Sequence, residues 1–202
     1  MLGRLKGILS MEHPIEKPSE SVMRFFTPER YVRFNSLDED VADAANEEWE
    51  AALDQYRDHL SEIHDCMPSQ VRKMAGLCLH DAEVVACDQT VEPDFLSFNS
   101  TWSATSTMTV GHEGAILSIV YRLWDRIREH PASGDWPFSK AHPLWLFEEI
   151  DLASSQRGMF IHRILFSDGR RLEIPFVSAI IHNVPLAALA NGIANGHDIV
   201  VK

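Results

Sequence analysis

Cysteine is scarce in this 202-residue chain, and its three occurrences form no CxxC pair. An odd number of cysteines without a paired spacing argues against a disulfide framework. We therefore expect Cys66, Cys78 and Cys87 to be buried as small hydrophobic residues. Together with His80 they match no familiar zinc-ligand spacing, so the sequence predicts no metal and no cofactor.

A hydrophobic segment long enough to cross a membrane is also missing. The longest apolar runs, such as residues 115–121, are far shorter than the roughly 20 residues of a spanning helix. The apolar patch near the N-terminus is too short for a signal peptide and is soon followed by acidic residues. We expect a cytoplasmic protein without a membrane partner, in which residues 1–22 form a flexible tail. A start at Met23 would also fit.

Basic residues are in the minority, because 18 Lys and Arg stand against 30 Asp and Glu, which gives a net charge of −12. Eleven of the acids lie between Asp38 and Asp65, where Arg57 is the only Lys or Arg, so this segment carries −10 of the net charge. It would repel a phosphate backbone, which makes DNA and RNA poor candidate partners. Two interpretations remain open: a solvated helix face that aids solubility, or a docking surface for a basic protein.

The familiar catalytic and nucleotide-binding motifs are missing too. The sequence has no GxSxG, no GxxxxGK[ST], no GxGxxG after a predicted strand and no HExxH. It therefore gives no direct signature of a serine hydrolase, of a nucleotide-binding enzyme or of a zinc protease.

The sharpest structural signal is a hairpin within residues 159–182. Two apolar, β-branched runs flank Ser167-Asp168-Gly169-Arg170, and Asp-Gly between such runs predicts a two-residue type I′ turn. The register of such a hairpin places one set of side chains on a face that should be mostly core. This set contains Ile161, Arg163 and Leu165 opposite Phe176, Ile174 and Leu172.

Helical patterns come first along the chain and strand patterns follow, which predicts an α+β fold. Thr27-Pro28 predicts the start of a short helix, and a capping box that begins at Ser36 predicts the start of a longer one. The expected architecture is a layer of N-terminal acidic helices packed on a mainly antiparallel β-sheet of about five to seven strands. The predicted parts are a tail (1–22) and a single α+β domain (23–202), divided into a helical layer (23–79), a sheet (80–182) and a C-terminal short helix and tail (183–202).

Four short stretches resemble a family of uncharacterised bacterial proteins that is known only as a domain of unknown function. They are residues 25–31 (FFTPERY), 79–82 (LHDA), 145–150 (WLFEEI) and 164–169 (ILFSDG). The similarity covers about residues 23–182. It implies a bacterial cytosolic protein and brings no known catalytic residues, so it indicates a family and not a function.

One group of residues could support catalysis. An adjacent His-Asp pair on a helix ligates metal in metal-dependent phosphohydrolases, and acids beside a histidine can hold a cation or move a proton. A metal-dependent hydrolase would use a cluster of five residues: His80, Asp81, Glu149, Asp151 and His162. The structural alternative is that Asp81 bonds turn backbone, that His80 packs under the sheet, and that the strand acids pair with Arg163 or Arg157.

The binding hypothesis depends on the acidic segment and on aromatic residues in a loop. Glu47, Glu48 and Glu50 would steer a basic protein partner, and Trp136 and Phe138 would anchor it. The sequence therefore favours a non-catalytic protein-binding module, of the inhibitor or immunity type, over the hydrolase. A scaffold subunit whose acidic face only keeps it soluble is the third alternative.

Overall fold

Three helices precede seven strands in the computed structural model, which describes residues 23–93, 102–138, 141–153 and 158–187. The helices are α1 (Pro28–Phe34), α2 (Glu39–Ile63) and α3 (Ser69–Ala75), with a 3₁₀ turn at His64–Cys66. The strands are β1 (Ala82–Pro93), β2 (Trp102–His112), β3 (Ala115–Leu123), β4 (Arg128–His130), β5 (Leu144–Leu152), β6 (Phe160–Phe166) and β7 (Arg171–Pro185). The predicted α+β class is confirmed. The predicted tail (1–22) and most of the predicted C-terminal part lie outside the described residues.

The two N-terminal helices begin at side-chain caps. Helix α1 starts as predicted, with Thr27 as the N-cap and Pro28 in the first helical position. The predicted capping box of α2 is wrong, because its N-cap is Asp38 and not Ser36. The Asp38 carboxylate accepts two backbone N–H groups of the first turn. A carboxylate is favoured there because the N-terminus of a helix carries partial positive charge.

The seven strands form one antiparallel sheet in the order β3-β2-β1-β5-β6-β7-β4. Strand β3 also pairs with β7, so that six strands close into a barrel and β4 is added beside β7. The length of β7 allows this closure, since its first half pairs with β6 and its second half with β3. Contact is smallest between β1 and β5, which share two residue pairs, Ala82 with Trp145 and Glu83 with Leu144.

Large side chains fill the barrel and form one core cluster. Tyr121, Trp145, Phe160 and Phe176 are among its fully buried members. A second cluster lies outside the barrel, where α2 and the segment before α1 meet β5 and β6. It contains Met23, Phe25, Phe26, Trp49, Ala52, Leu146 and Leu165. The barrel wall is therefore apolar on both sides in this region.

The hairpin between β6 and β7 forms, but its predicted turn and register are wrong. Within the turn only Gly169 has a positive φ, of 82°, and its N–H donates to the Phe166 carbonyl. This is a type I turn followed by a glycine bulge, which is longer than the predicted turn. Ile161 consequently pairs with Pro175 and not with Phe176. A shift of one residue exchanges the two faces of a strand, so the core face instead holds Phe160, His162 and Ile164.

The expectation of buried cysteines is also wrong. Cys78 and Cys87 are exposed and Cys66 is half-buried. Cys78 lies in the link between α3 and β1. Cys87 lies beyond the two β1 residues that pair with β5, so within the described residues no strand pairs with that side of β1 at Cys87.

Candidate functional site

The structure separates the residues of the hydrolase hypothesis. Glu149 and Asp151 lie on the outer face of β5, and His162 lies inside the barrel. The register explains this separation, because Ile150 is opposite His162 whereas Glu149 is opposite Arg163. The predicted cluster of Glu149, Asp151 and His162 is therefore wrong.

Glu149 binds the chain that leads into α1. Its side chain is buried, and its carboxylate accepts the backbone N–H groups of Arg24, Phe25 and Phe26 at 2.8, 2.6 and 2.7 Å. A buried carboxylate is strongly destabilising unless such donors surround it. Glu149 therefore joins the segment before α1 to the barrel.

Asp151 lies in a group of ionisable side chains between α2 and the barrel. Its carboxylate oxygens lie 3.2 Å from His59 Nε2 on α2 and 3.5 Å from Arg163 Nη1 on β6. Arg163 Nε in turn lies 3.4 Å from the carboxylate of Glu173, which is buried. The predicted pairing of a strand acid with Arg163 is confirmed for Asp151, and Arg157 lies outside the described residues.

His162 is a buried polar group of the barrel interior. Its Nδ1 lies 2.9 Å from the Tyr121 hydroxyl, and its Nε2 has no hydrogen-bond partner among the described residues. Burial lowers the pKa of His162 from 6.5 to about 3, because the imidazolium would lose its hydration. His162 is therefore neutral near pH 7.

Glu148 also faces the barrel interior, and sequence reasoning missed it. A bulge at Leu146 interrupts β5, so that the Trp145 indole N–H donates to the Glu148 carboxyl at 2.5 Å. Burial raises the pKa of Glu148 from 4.5 to about 7, against the smaller opposing effects of that hydrogen bond and of His80. No sequence signal identifies this residue, because regular strand alternation would place Trp145 and Glu148 on opposite faces.

His80 and Asp81 lie at the surface, in the turn that leads from α3 to β1. His80 Nδ1 donates to the Leu146 carbonyl at 2.8 Å, and its Nε2 lies 3.6 Å from the Asp81 carboxylate. Asp81 has a φ of 63°, which Asp tolerates better than most residues. In the part of the chain that the structure describes, no group of three or more His, Cys, Asp or Glu side chains is positioned to hold a metal ion.

Trp136 is not the exposed anchor that the sequence predicted. It is only 7% exposed, its ring stacks on Tyr31, and its indole N–H donates to the Ser167 carbonyl at 3.1 Å. Phe138 is half-buried against the same two rings. The β6–β7 turn leaves room for the indole, because a Cβ at Gly169 would come within 2.5 Å of it.

The solvent-facing side of α2 carries a row of exposed carboxylates, which we name the acidic stripe. It consists of Asp40, Asp43, Glu47, Glu50, Asp54 and Asp58. Spacings of three and four residues place these side chains on one helix face, about 27 Å long at 1.5 Å per residue. The opposite face is buried and includes Trp49, Ala52 and Ile63. Among the described residues, Asp54 is the one stripe member with an ion pair, to Arg57 at 2.7 Å.

The three predicted partner-binding acids do not share one environment. Glu47 and Glu50 belong to the acidic stripe and are exposed. Glu48 lies beside it and accepts a hydrogen bond from Arg33 Nη1 at 2.8 Å, which lowers the pKa of Glu48. Glu48 therefore joins α2 to α1, and its charge is matched within the chain.

Three apolar side chains are exposed where α1 turns into α2, and we name them the apolar corner. Phe34, Leu37 and Val41 are 39%, 103% and 38% exposed. They are close in sequence to Asp40, at the N-terminal end of the acidic stripe, and Phe34 also contacts the buried Trp49 ring. Clustered exposed apolar side chains are typical of interaction sites, whereas single ones need no explanation.

Comparison with protein-family models and with curated proteins does not assign this chain to a family. No protein-family model matches the chain, and no similar curated protein was found. The resemblance to an uncharacterised bacterial family therefore stays a prediction. None of the helices within the described residues combines the length and the apolar character that a bilayer crossing requires.

Proposed function

We propose that this chain is a non-catalytic binding module for a basic protein, which it meets with the acidic stripe. The observation that carries the proposal is the excess of negative charge along this surface, where five of six exposed carboxylates have no ion pair among the described residues. Such a field attracts a basic partner and speeds its association.

The apolar corner supports the same proposal. Electrostatic steering raises association rates more than it raises affinity, so a lasting complex also needs apolar contacts that exclude water. Leu37 is fully exposed beside the acidic stripe and can supply such a contact. It takes the role of the exposed anchor that the sequence assigned to Trp136.

The proposed mechanism has two steps. The acidic stripe first orients a basic protein along α2, and the apolar corner then docks against that protein. A module of this kind would act as an inhibitor or immunity-type protein by covering a basic functional surface of its target. The predicted cytoplasmic location, in a bacterial cell, would be the place of this encounter.

The test starts from a tagged chain purified from its native cells at low and at high salt. A basic protein that co-purifies in stoichiometric amount at low salt is then purified, and its binding rates are measured by surface plasmon resonance. Glu47→Lys with Glu50→Lys should lower the association rate about tenfold at low salt. Leu37→Ser should mainly raise the dissociation rate.

A matched control reverses the charge of two carboxylates elsewhere on the chain. Glu83→Lys with Glu113→Lys reverses two exposed carboxylates outside α2 and changes the net charge by the same amount. The proposal fails if this control slows association as much as the stripe variant does, or if the stripe variant associates at the wild-type rate.

A further inference from the structure

A groove of about 500 Å³ lies between α1 and the loop that follows β4. Its lining from α1 is Pro28, Glu29, Val32 and Arg33, and its lining from the loop is Ser133, Asp135 and Trp136. This volume lies within the range of about 300–1,000 Å³ that is usual for binding pockets. The groove belongs to neither the acidic stripe nor the barrel interior.

The floor of the groove is apolar and is held in place from below. Trp136 stacks on Tyr31 at a ring distance of 6.1 Å, and its indole N–H is fixed by the Ser167 carbonyl. Gly169 lies directly beneath the indole. Pro28 and Val32, with the small exposed part of Trp136, therefore form a preformed apolar surface on which an aliphatic side chain can lie.

The side chains of the groove that have no ion pair among the described residues carry negative charge. Glu29 and Asp135 are exposed and have no ion pair among the described residues. The Ser133 hydroxyl donates to Asp135 and thereby holds the pKa of that carboxyl below its ordinary value. Arg33 contributes little positive charge, because its guanidinium is bound to Glu48.

We propose that this groove receives a segment of the basic partner in which an aliphatic residue is flanked by Lys or Arg. The aliphatic side chain would lie on Trp136, Pro28 and Val32, and the cationic groups would lie near Glu29 and Asp135. The charge complementarity and the apolar floor together specify this occupant. The inference rests on the proposed function and adds a second contact to it, outside α2.

Short peptides test the groove without the unidentified partner. The probe is an acetylated and amidated Arg-Leu-Arg-Leu-Arg peptide, and the matched probe is Arg-Ser-Arg-Ser-Arg, which has the same charge. Binding is followed in the full chain by NMR through the Trp136 indole N–H resonance, assigned by triple-resonance spectra. The leucine peptide should shift this resonance in a saturable manner, and the serine peptide should bind at least fivefold more weakly.

Paired variants distinguish the groove from the acidic stripe. Glu29→Gln with Asp135→Asn should weaken binding of the leucine peptide about tenfold, because two exposed charge pairs are lost. Glu47→Gln with Glu50→Gln removes the same charge from the stripe and should weaken this binding less than the groove variant does.

The outcomes separate the two proposals. If the peptide binds without shifting Trp136, or if only the stripe variant weakens it, the groove inference is overturned and the proposed function stands. Equal binding of both peptides also overturns the inference, because the apolar floor then contributes nothing. If the groove behaves as expected while the stripe variant leaves association with the captured protein unchanged, the proposed function fails instead.

Discussion

The variant Glu148→Gln should change how the stability of this protein depends on pH between pH 5 and 7. Two groups of the barrel interior, the buried His162 and the half-buried Glu148, have pKa values shifted in opposite directions. The pKa of His162 falls from 6.5 to about 3, and that of Glu148 rises from 4.5 to about 7. Between pH 4.5 and 6.5 the folded chain therefore holds a proton on Glu148 and none on His162, and the unfolded chain does the reverse.

The two groups then have opposite effects on the free energy of unfolding. Because the folded pKa of His162 is lowered, its stabilising contribution is present above pH 6.5 and is lost as the pH falls toward 3. Because the folded pKa of Glu148 is raised, its contribution is present below pH 4.5 and is lost as the pH rises through 7. Between pH 5 and 7 each effect amounts to about 2 kcal/mol, and in the wild type they nearly cancel.

Each single substitution should reveal the effect of the other group. Glu148→Gln keeps an acceptor for the Trp145 indole but cannot titrate, so acidification from pH 7 to 5 should reduce its stability relative to wild type by about 2 kcal/mol. His162→Gln should show the opposite trend, with about 2 kcal/mol more relative stability at pH 5 than at pH 7. Other groups titrate in the wild type and in both variants, so their contributions to the free energy of unfolding cancel when variant and wild type are compared.

The assay is urea unfolding followed by tryptophan fluorescence at several pH values between 4.5 and 7.5, with wild type and variants measured side by side. Glu47→Gln, which removes an exposed carboxylate, serves as the control and should run parallel to the wild type. Parallel profiles for Glu148→Gln and the wild type would refute the reasoning. They would mean that Glu148 is ionised in the folded barrel at pH 5.

Two further substitutions test the contacts that hold the helices and the groove. Gly169→Ala should destabilise the fold by about 3 kcal/mol in urea unfolding, because φ is positive there and the new Cβ meets the Trp136 indole. Gly134→Ala, at an exposed glycine with open space, should have almost no effect. Glu149→Gln should destabilise the fold by about 2–3 kcal/mol, since its NH₂ group would face a backbone N–H. Hydrogen exchange of the Phe25 and Phe26 amides should then accelerate, and unchanged exchange would contradict the role of Glu149.

Local signals in the sequence predict the parts of this fold that depend on neighbouring residues. The N-cap and proline of α1 are read from Thr27-Pro28, and the order of the local patterns gives the order of helices before strands. The hairpin register could not be decided in this way, because Asp-Gly fits both the two-residue turn and the longer turn with a glycine bulge. The choice of turn decided which face of β6 became the core.

The remaining errors come from contacts between distant parts of the chain. Trp136 lies in a loop that reads as exposed, but Gly169, more than 30 residues away, leaves space for its ring. Closure of the barrel depends on pairing of β3 with β7, which no local pattern specifies. The interior position of Glu148 depends on the bulge at Leu146. Each case requires knowledge of a partner that is remote in sequence.

The filled barrel leads to a conclusion about where this chain can bind a partner. Bulky side chains such as Trp145 and Phe160 occupy the interior of the barrel, and both proposed binding surfaces lie outside it. The acidic stripe lies on α2, and the groove lies between α1 and the loop that follows β4. The Arg33–Glu48 ion pair and the Phe34–Trp49 contact hold these helices together. Loss of the Trp49 ring should therefore disturb both surfaces at once, whereas changes within either surface should leave the other intact.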